Sequence, residues 1–125
     1  MKTIYISGGI SGLPFDEVRK RFDAAKEYYK QIGYKVVSPL DLPHKHDHSW
    51  SSFMLQDLRA LSKCDEIAML ENWQKSTGAR IEYEFAVRME KPVRYFYAPK
   101  IGDHLNPIIN YDSTRTFRNR VREGA

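Results

Sequence analysis

The apolar positions follow two periods that alternate along the chain. Lys2–Ser7 runs through Thr3, Ile4, Tyr5 and Ile6, all β-branched or aromatic, and stops at Gly8 and Gly9; this predicts a buried strand. Phe15, Val18, Phe22, Ala25, Tyr29 and Ile32 then recur in steps of three and four. That spacing predicts a long amphipathic helix, with Pro14 near its first turn and Gly33 as its C-terminal stop. Tyr34–Ser38 predicts a second strand, ended by Pro39. The polar stretch Asp41–Ser49 holds Pro43 and three histidines and predicts a surface loop, after which Ser49 is placed to cap a helix from Trp50 to about Lys63. A third strand at Ile67–Leu70 is entered through Cys64 and Asp65, a helix runs from about Thr77 to Glu90, and Val93–Tyr97 is a fourth strand. Past Pro99 the periodicity weakens; Ile108–Arg122 suits a short element and a final helix, with Arg115, Arg118, Arg120 and Arg122 on a solvated face.

Strands alternating with helices imply βαβ units, hence a parallel sheet covered on both faces. Crossovers in such a sheet are right-handed, and ligands collect beyond the carboxyl ends of the strands. A length of 125 residues suits a single domain over 1–125, its core at about 2–98 and a C-terminal segment at 99–125. The lone cysteine, Cys64, excludes an intramolecular disulfide and suits a reducing compartment. No apolar run approaches the roughly 18 residues of a membrane span, and the N-terminus runs straight into a strand and a glycine loop, unlike a signal peptide. A cytoplasmic domain with no membrane partner is expected. The formal net charge of +4 is mild. It admits an anionic ligand, but no polymeric nucleic acid is expected as a partner.

Candidate chemistry sits where residues break the apolar pattern. In the Trp50–Lys63 helix, Asp57 falls in the row of Met54, Leu58 and Leu61; in the next helix Glu82 opens the row Phe85, Ala86, Met89. A carboxylate on a core-facing stripe loses hydration unless it is paired or opens on a cleft, and its neutral form is then favoured. Two such acids, on helices flanking one strand, point to a shared pocket. Arg80, Glu84 and Arg88 read instead as an exposed i, i+4, i+8 ladder. The loop Ser7-Gly8-Gly9-Ile10-Ser11-Gly12 follows a strand and precedes a helix, so backbone N–H groups can approach an anion or a sugar. It lacks the lysine of a P-loop, and a tight turn explains its glycines equally well. Ser76-Thr77-Gly78-Ala79 opens the Glu82 helix in a similar way, with Ser76 as its N-cap. His44, His46 and His48 alternate with Asp47 between them, too few ligands for a zinc site, so they are read as a mobile polar lid and no metal is expected. Tyr5 belongs to the core by position, yet lies close enough to its strand's carboxyl end for the hydroxyl to reach the cleft. Trp50 and Trp73 are candidates for stacking or lid contacts, with core packing favoured for Trp50.

Three blocks together resemble the nucleoside 2-deoxyribosyltransferase superfamily, including its 2'-deoxynucleoside 5'-phosphate N-hydrolases, and more closely a small phage and bacterial branch without a settled function. They are Ile4-Tyr5-Ile6-Ser7-Gly8-Gly9-Ile10-Ser11-Gly12; Gln56-Asp57-Leu58 with Leu61, Cys64 and Asp65; and Ser76-Thr77-Gly78-Ala79-Arg80-Ile81-Glu82 with Ala86. The resemblance implies a flavodoxin-like or Rossmann-like three-layer sandwich with a parallel four- or five-stranded sheet. By position it makes Glu82 the nucleophile toward C1' of the sugar, Asp57 the group that protonates or orients the leaving base, and Tyr5 a neighbour of both sugar and nucleophile. It assigns the loop from Ser7 through Gly8, Gly9, Ile10, Ser11 and Gly12, together with Ser76 and Gly78, to substrate and phosphate. Leu105-Asn106-Pro107-Ile108-Ile109 resembles a segment that reaches into a neighbouring subunit's site. There the N-hydrolases carry a serine for the phosphate and the transferases an asparagine for the 5'-hydroxyl; Asn106 departs from the N-hydrolase pattern. The implied assembly is a homodimer or higher homo-oligomer, and the implied small molecule a nucleotide or nucleoside.

The residues fit that chemistry on their own account. Cleaving an N-glycosidic bond passes through an oxocarbenium-like state that a carboxylate stabilises or captures, while the departing base takes a proton. Two acids in one apolar cleft separate their proton affinities, leaving one charged and one neutral. Neither metal nor redox cofactor is required. Hydrolysis of a nucleotide or nucleoside is the leading expectation, base exchange the second, and a nucleotide-binding module without catalysis the third.

Overall fold

The structure, a computed structural model, describes residues 1–97. The elements follow in the order β1 (Thr3–Ser7), α1 (Phe15–Gln31), β2 (Lys35–Val37), α2 (Trp50–Ser62), β3 (Glu66–Leu70), α3 (Thr77–Arg88) and β4 (Val93–Phe96), with short 3-10 turns at Pro39–Asp41 and Trp73–Lys75. The strands form one four-stranded sheet in the order β2-β1-β3-β4, all neighbours parallel. This is the α/β, flavodoxin-like arrangement expected. The strand order reverses between β1 and β3, and a crevice outside the carboxyl ends of those strands is where such sheets bind ligands.

Alternation along the strands divides the core in two. Ile4 and Ile6 of β1, Ala68 and Leu70 of β3 and Phe96 of β4 pack beneath Val18, Phe22, Ala25 and Tyr29 of α1. Tyr5, Ile67, Met69, Val93 and Tyr95 face the other way, onto Leu61 of α2 and Ala79, Ala86 and Val87 of α3. Both faces of β3 are therefore covered, and all five of its residues are buried.

Helix ends obey local rules. Asp16 and Glu17 stand in the first turn of α1 and Lys30 in its last, each complementing the helix dipole. Gly33 takes φ +102° and Tyr34 N–H returns to the Tyr29 carbonyl, which closes the helix. Ser49 and Ser76 cap α2 and α3 by accepting from the N–H groups of Ser52 and Ala79.

Three apolar positions leave the stripes drawn from sequence. Phe15 is exposed because a helix of 17 residues spans about 25 Å, whereas a strand of five covers about 17 Å, so the end of α1 overhangs the sheet. Ile32 and Met89 are C-cap residues, off the helical row, and are exposed as well. The two tryptophans exchange their expected places. Trp73 is buried against Tyr83, ring centroids 4.6 Å apart, whereas Trp50, the first residue of α2, is half exposed. The expected exposed ladder on α3 is present, with Arg88 paired to Glu84 at 2.8 Å. Asn106, the segment Leu105–Ile109 and the final helix expected within 108–122 lie outside the described residues.

Candidate active site

Glu82 projects from the second turn of α3 onto the Tyr5 side of the sheet and is only 5% exposed. Two hydroxyls of β1 meet it. Tyr5 donates to one carboxylate oxygen at 2.7 Å and Ser7 to the other at 2.6 Å. Residues i and i+2 of a strand share a face, which is why both reach the same group. Asp57, on the buried row of α2, is 8% exposed, and its Oδ1 has no hydrogen-bond partner among the described residues.

Burial sets the electrostatics. Loss of hydration pushes Asp57 up to about 7. It pushes Glu82 up to about 7 as well, against the opposing hydrogen bonds from Ser7 and Tyr5 and with a smaller upward push from the charge of Asp57. No cation is bonded to either acid among the described residues. The Tyr5 hydroxyl, desolvated and beside Glu82, is raised far above its ordinary range and stays protonated as a donor.

Both carboxyl groups line one cavity of about 610 Å³. It is lined by the β1–α1 loop at Gly8, Gly9, Ile10 and Ser11, by Ser76, Thr77 and Gly78 at the N-terminus of α3, and by Glu71, Asn72 and Lys75 from the loop after β3. The residues gathered by spacing in sequence thus meet in space. Gly8 serves packing first, since a Cβ there would lie 3.0 Å from Leu70 Cβ. Gly12, at φ +78°, makes the turn into α1 and does not line the cavity. Neither do Ser7 and Tyr5, whose hydroxyls are directed to Glu82.

Arg21, Phe53 and Lys75 are cavity residues that the sequence did not single out. Arg21 of α1 and Lys75 line the cavity without an ion-pair partner among the described residues. Trp50, Phe53 and Met54 of α2 form an apolar wall with His44 beside them. The histidine loop is tied down: the rings of His44, His46 and His48 surround Phe53 at centroid distances of 5.1, 4.5 and 5.8 Å. His44 Nδ1 pairs with Gln56 Oε1 at 3.0 Å, and Asp47 accepts from Ser49 N–H and the Ser52 hydroxyl at the start of α2.

Residues 2–95 match a family described as a domain of unknown function, DUF4406. The chain belongs to that family. A search of curated protein sequences finds no match. Among solved structures, the fold is shared with a 2-deoxyribosyltransferase of Bacillus psychrosaccharolyticus (22% identity, TM-score 0.60, covering 76% of this chain and 72% of that one). It is shared too with a 2-deoxyribosyltransferase from Leishmania mexicana (17% identity, TM-score 0.60, covering 91% and 81%). The CMP N-glycosidase BcmB of Clostridium botulinum aligns over 99% of this chain and 100% of its own, at 15% identity and TM-score 0.53. The resemblance carried by the three sequence blocks is thereby matched by the fold of this DUF4406 member.

Proposed function

We propose that this protein is an N-glycosidase that hydrolyses the base–sugar bond of a nucleoside or nucleoside 5'-monophosphate, with a deoxyribose favoured. The observation that carries the proposal is the pair of buried acids, Glu82 and Asp57, lining a common cavity and without cationic partners among the described residues. A buried carboxylate without a counter-ion is costly to fold around, so its retention on two adjacent helices fits chemistry better than architecture. The fold shared with deoxyribosyltransferases and an N-glycosidase supports the same class of substrate.

Glu82 is the nucleophile. Its carboxylate attacks C1' as the bond to the base breaks, and water then releases the sugar. Asp57 holds the proton that the departing base receives, for which a proton affinity near neutrality is suited. Tyr5 fixes the carboxylate of Glu82 from below. The N–H groups of the Gly8–Ser11 loop and of the start of α3, with Arg21 and Lys75 at the rim, suit a 5'-phosphate. The apolar wall of Trp50, Phe53 and Met54 suits the flat base. Asn106 is assigned to the site of a neighbouring subunit, in a cytoplasmic homodimer or larger assembly.

The test is incubation of purified protein with deoxynucleosides, ribonucleosides and their 5'-monophosphates, each with and without an acceptor base. Free base in the absence of acceptor is the expected result. Product only with acceptor would make the protein a transferase, and saturable binding without bond cleavage would make it a binding module. Asp57→Asn is expected to lower turnover by about 10²- to 10⁴-fold, with a smaller loss for substrates carrying a good leaving base.

A further inference from the structure

The two acids differ in one respect that burial does not explain. Glu82 receives a hydroxyl donor on each oxygen, while Asp57 receives none on its buried Oδ1 among the described residues. Donors favour the ionised form of a carboxylate, so the two groups are biased toward opposite protonation states. Tyr5 occupies one oxygen of Glu82; among the described residues Ser7 alone occupies the other. Ser7 is the last residue of β1, is fully buried and does not line the cavity, so its hydroxyl serves Glu82 and not the solvent or a ligand.

We propose that Ser7 is a positioning residue: by donating to Glu82 it keeps the proton off Glu82 and on Asp57, and so decides which acid attacks and which protonates. For its catalytic consequence this rests on the glycosidase function proposed above. Burial pushes both acids up, and the hydroxyl donors that oppose this push act on Glu82, whose value of about 7 is reached with both bonds in place. The titratable groups acting on Glu82 are Tyr5 from β1 and Asp57 from α2, while Arg21, His44, Glu71 and Lys75 stand around the cavity. Among these, the Ser7 hydroxyl and the Tyr5 hydroxyl are the donors bonded to Glu82. Without Ser7, one oxygen of Glu82 is left free to take a proton, and the charge moves to Asp57. The nucleophile is then lost at neutral pH although both acids remain.

The experiment is a carbon-13 NMR titration of glutamate side-chain carboxyls in the full chain, the Glu82 resonance being assigned by its loss in Glu82→Gln. Ser7→Ala is expected to move the Glu82 titration upward by about one pH unit, and Ser7→Thr, which keeps the hydroxyl, to restore it. In base-release assays the acid limb of the rate profile should move up in parallel: Ser7→Ala loses about tenfold more kcat near pH 6 than near pH 8.5, with KM little changed. Should Ser7→Ala fail to fold, Ser7→Cys, nearly isosteric and a weak donor, is expected to show a shift of the same sign. An unmoved Glu82 titration in a folded variant would overturn the proposal. Because the titration needs no substrate, absence of base release by the parent protein would count against the glycosidase function and leave the role of Ser7 to be decided separately.

Discussion

Two buried glutamates sit at opposite ends of the same sheet, and their surroundings could hardly differ more. Glu66, at the start of β3, is 1% exposed and is met by Arg94 at 2.6 Å, Lys2 at 3.3 Å and the Tyr34 hydroxyl at 2.8 Å. Its burial is outweighed by these partners, and its carboxyl is held below the ordinary range. Glu82, almost as buried, has hydroxyls and another acid for company, and burial wins. A compensated acid stitches strands together at the amino ends of the sheet. The other, at the carboxyl ends, lines a cavity and has no cation bonded to it among the described residues, as the proposed chemistry requires. Burial alone does not distinguish architecture from chemistry; the sign of the neighbouring charge does.

The largest expected effect falls on activity. Glu82→Gln should reduce base release by about 10³-fold or more with the melting temperature unchanged or raised, as read by a rate assay alongside thermal unfolding. Glu66→Gln, in contrast, should leave activity per folded molecule intact. Next in size, Arg94→Met should destabilise the fold by about 3 kcal/mol, because it leaves the buried Glu66 charge short of its closest cation; urea unfolding measures this, and a loss below about 1 kcal/mol would make Lys2 the dominant partner.

The two regions should also respond to pH with opposite sign. Asp57 and Glu82 bind protons more tightly in the folded protein, with Asp57 rising from 3.8 and Glu82 from 4.5 to about 7. They therefore weaken the fold as pH rises from about 4 to about 7. The double variant Asp57→Asn, Glu82→Gln should raise the melting temperature by several degrees near pH 8 and change it little near pH 4. Glu66 binds its proton less tightly when folded, so its contribution is present above its ordinary value of 4.5 and is lost as pH falls. Glu66→Gln should accordingly destabilise near pH 7 and cost much less in acid. The smallest effect concerns the half-exposed Trp50: Trp50→Ala should raise KM about threefold to tenfold with stability hardly altered, while the same change at buried Trp73 should cost about 3 kcal/mol or more of stability.

The fold was legible because its signals are repetitive. Each strand and helix carries several apolar positions in one period, and a single exception, such as Met89 or Phe15, does not disturb the pattern. Asp57 and Glu82 were legible for the opposite reason, as single breaks in otherwise regular rows. Glu66 was not, because an acid at the first position of a strand looks like a strand end; only the arrival of Arg94 and Lys2 from elsewhere makes it a buried ion pair. Nor could spacing tell that Ser7 turns inward to Glu82, 75 residues away, although it stands beside the glycine loop. The two tryptophans misled for a similar reason: core packing was favoured for Trp50 alone, whereas its position at the first turn of α2, beside the cavity, leaves it half exposed and Trp73 is the one that is buried.

The most direct test is a crystal structure of the Glu82→Gln variant with a deoxynucleoside 5'-monophosphate, which that variant should hold without cleaving. The account predicts C1' within about 3–3.5 Å of the substituted side chain, the base beside Asp57 and the phosphate on the Gly8–Ser11 loop. A nucleotide bound with its sugar turned away from both positions, or bound outside the cavity, would contradict it.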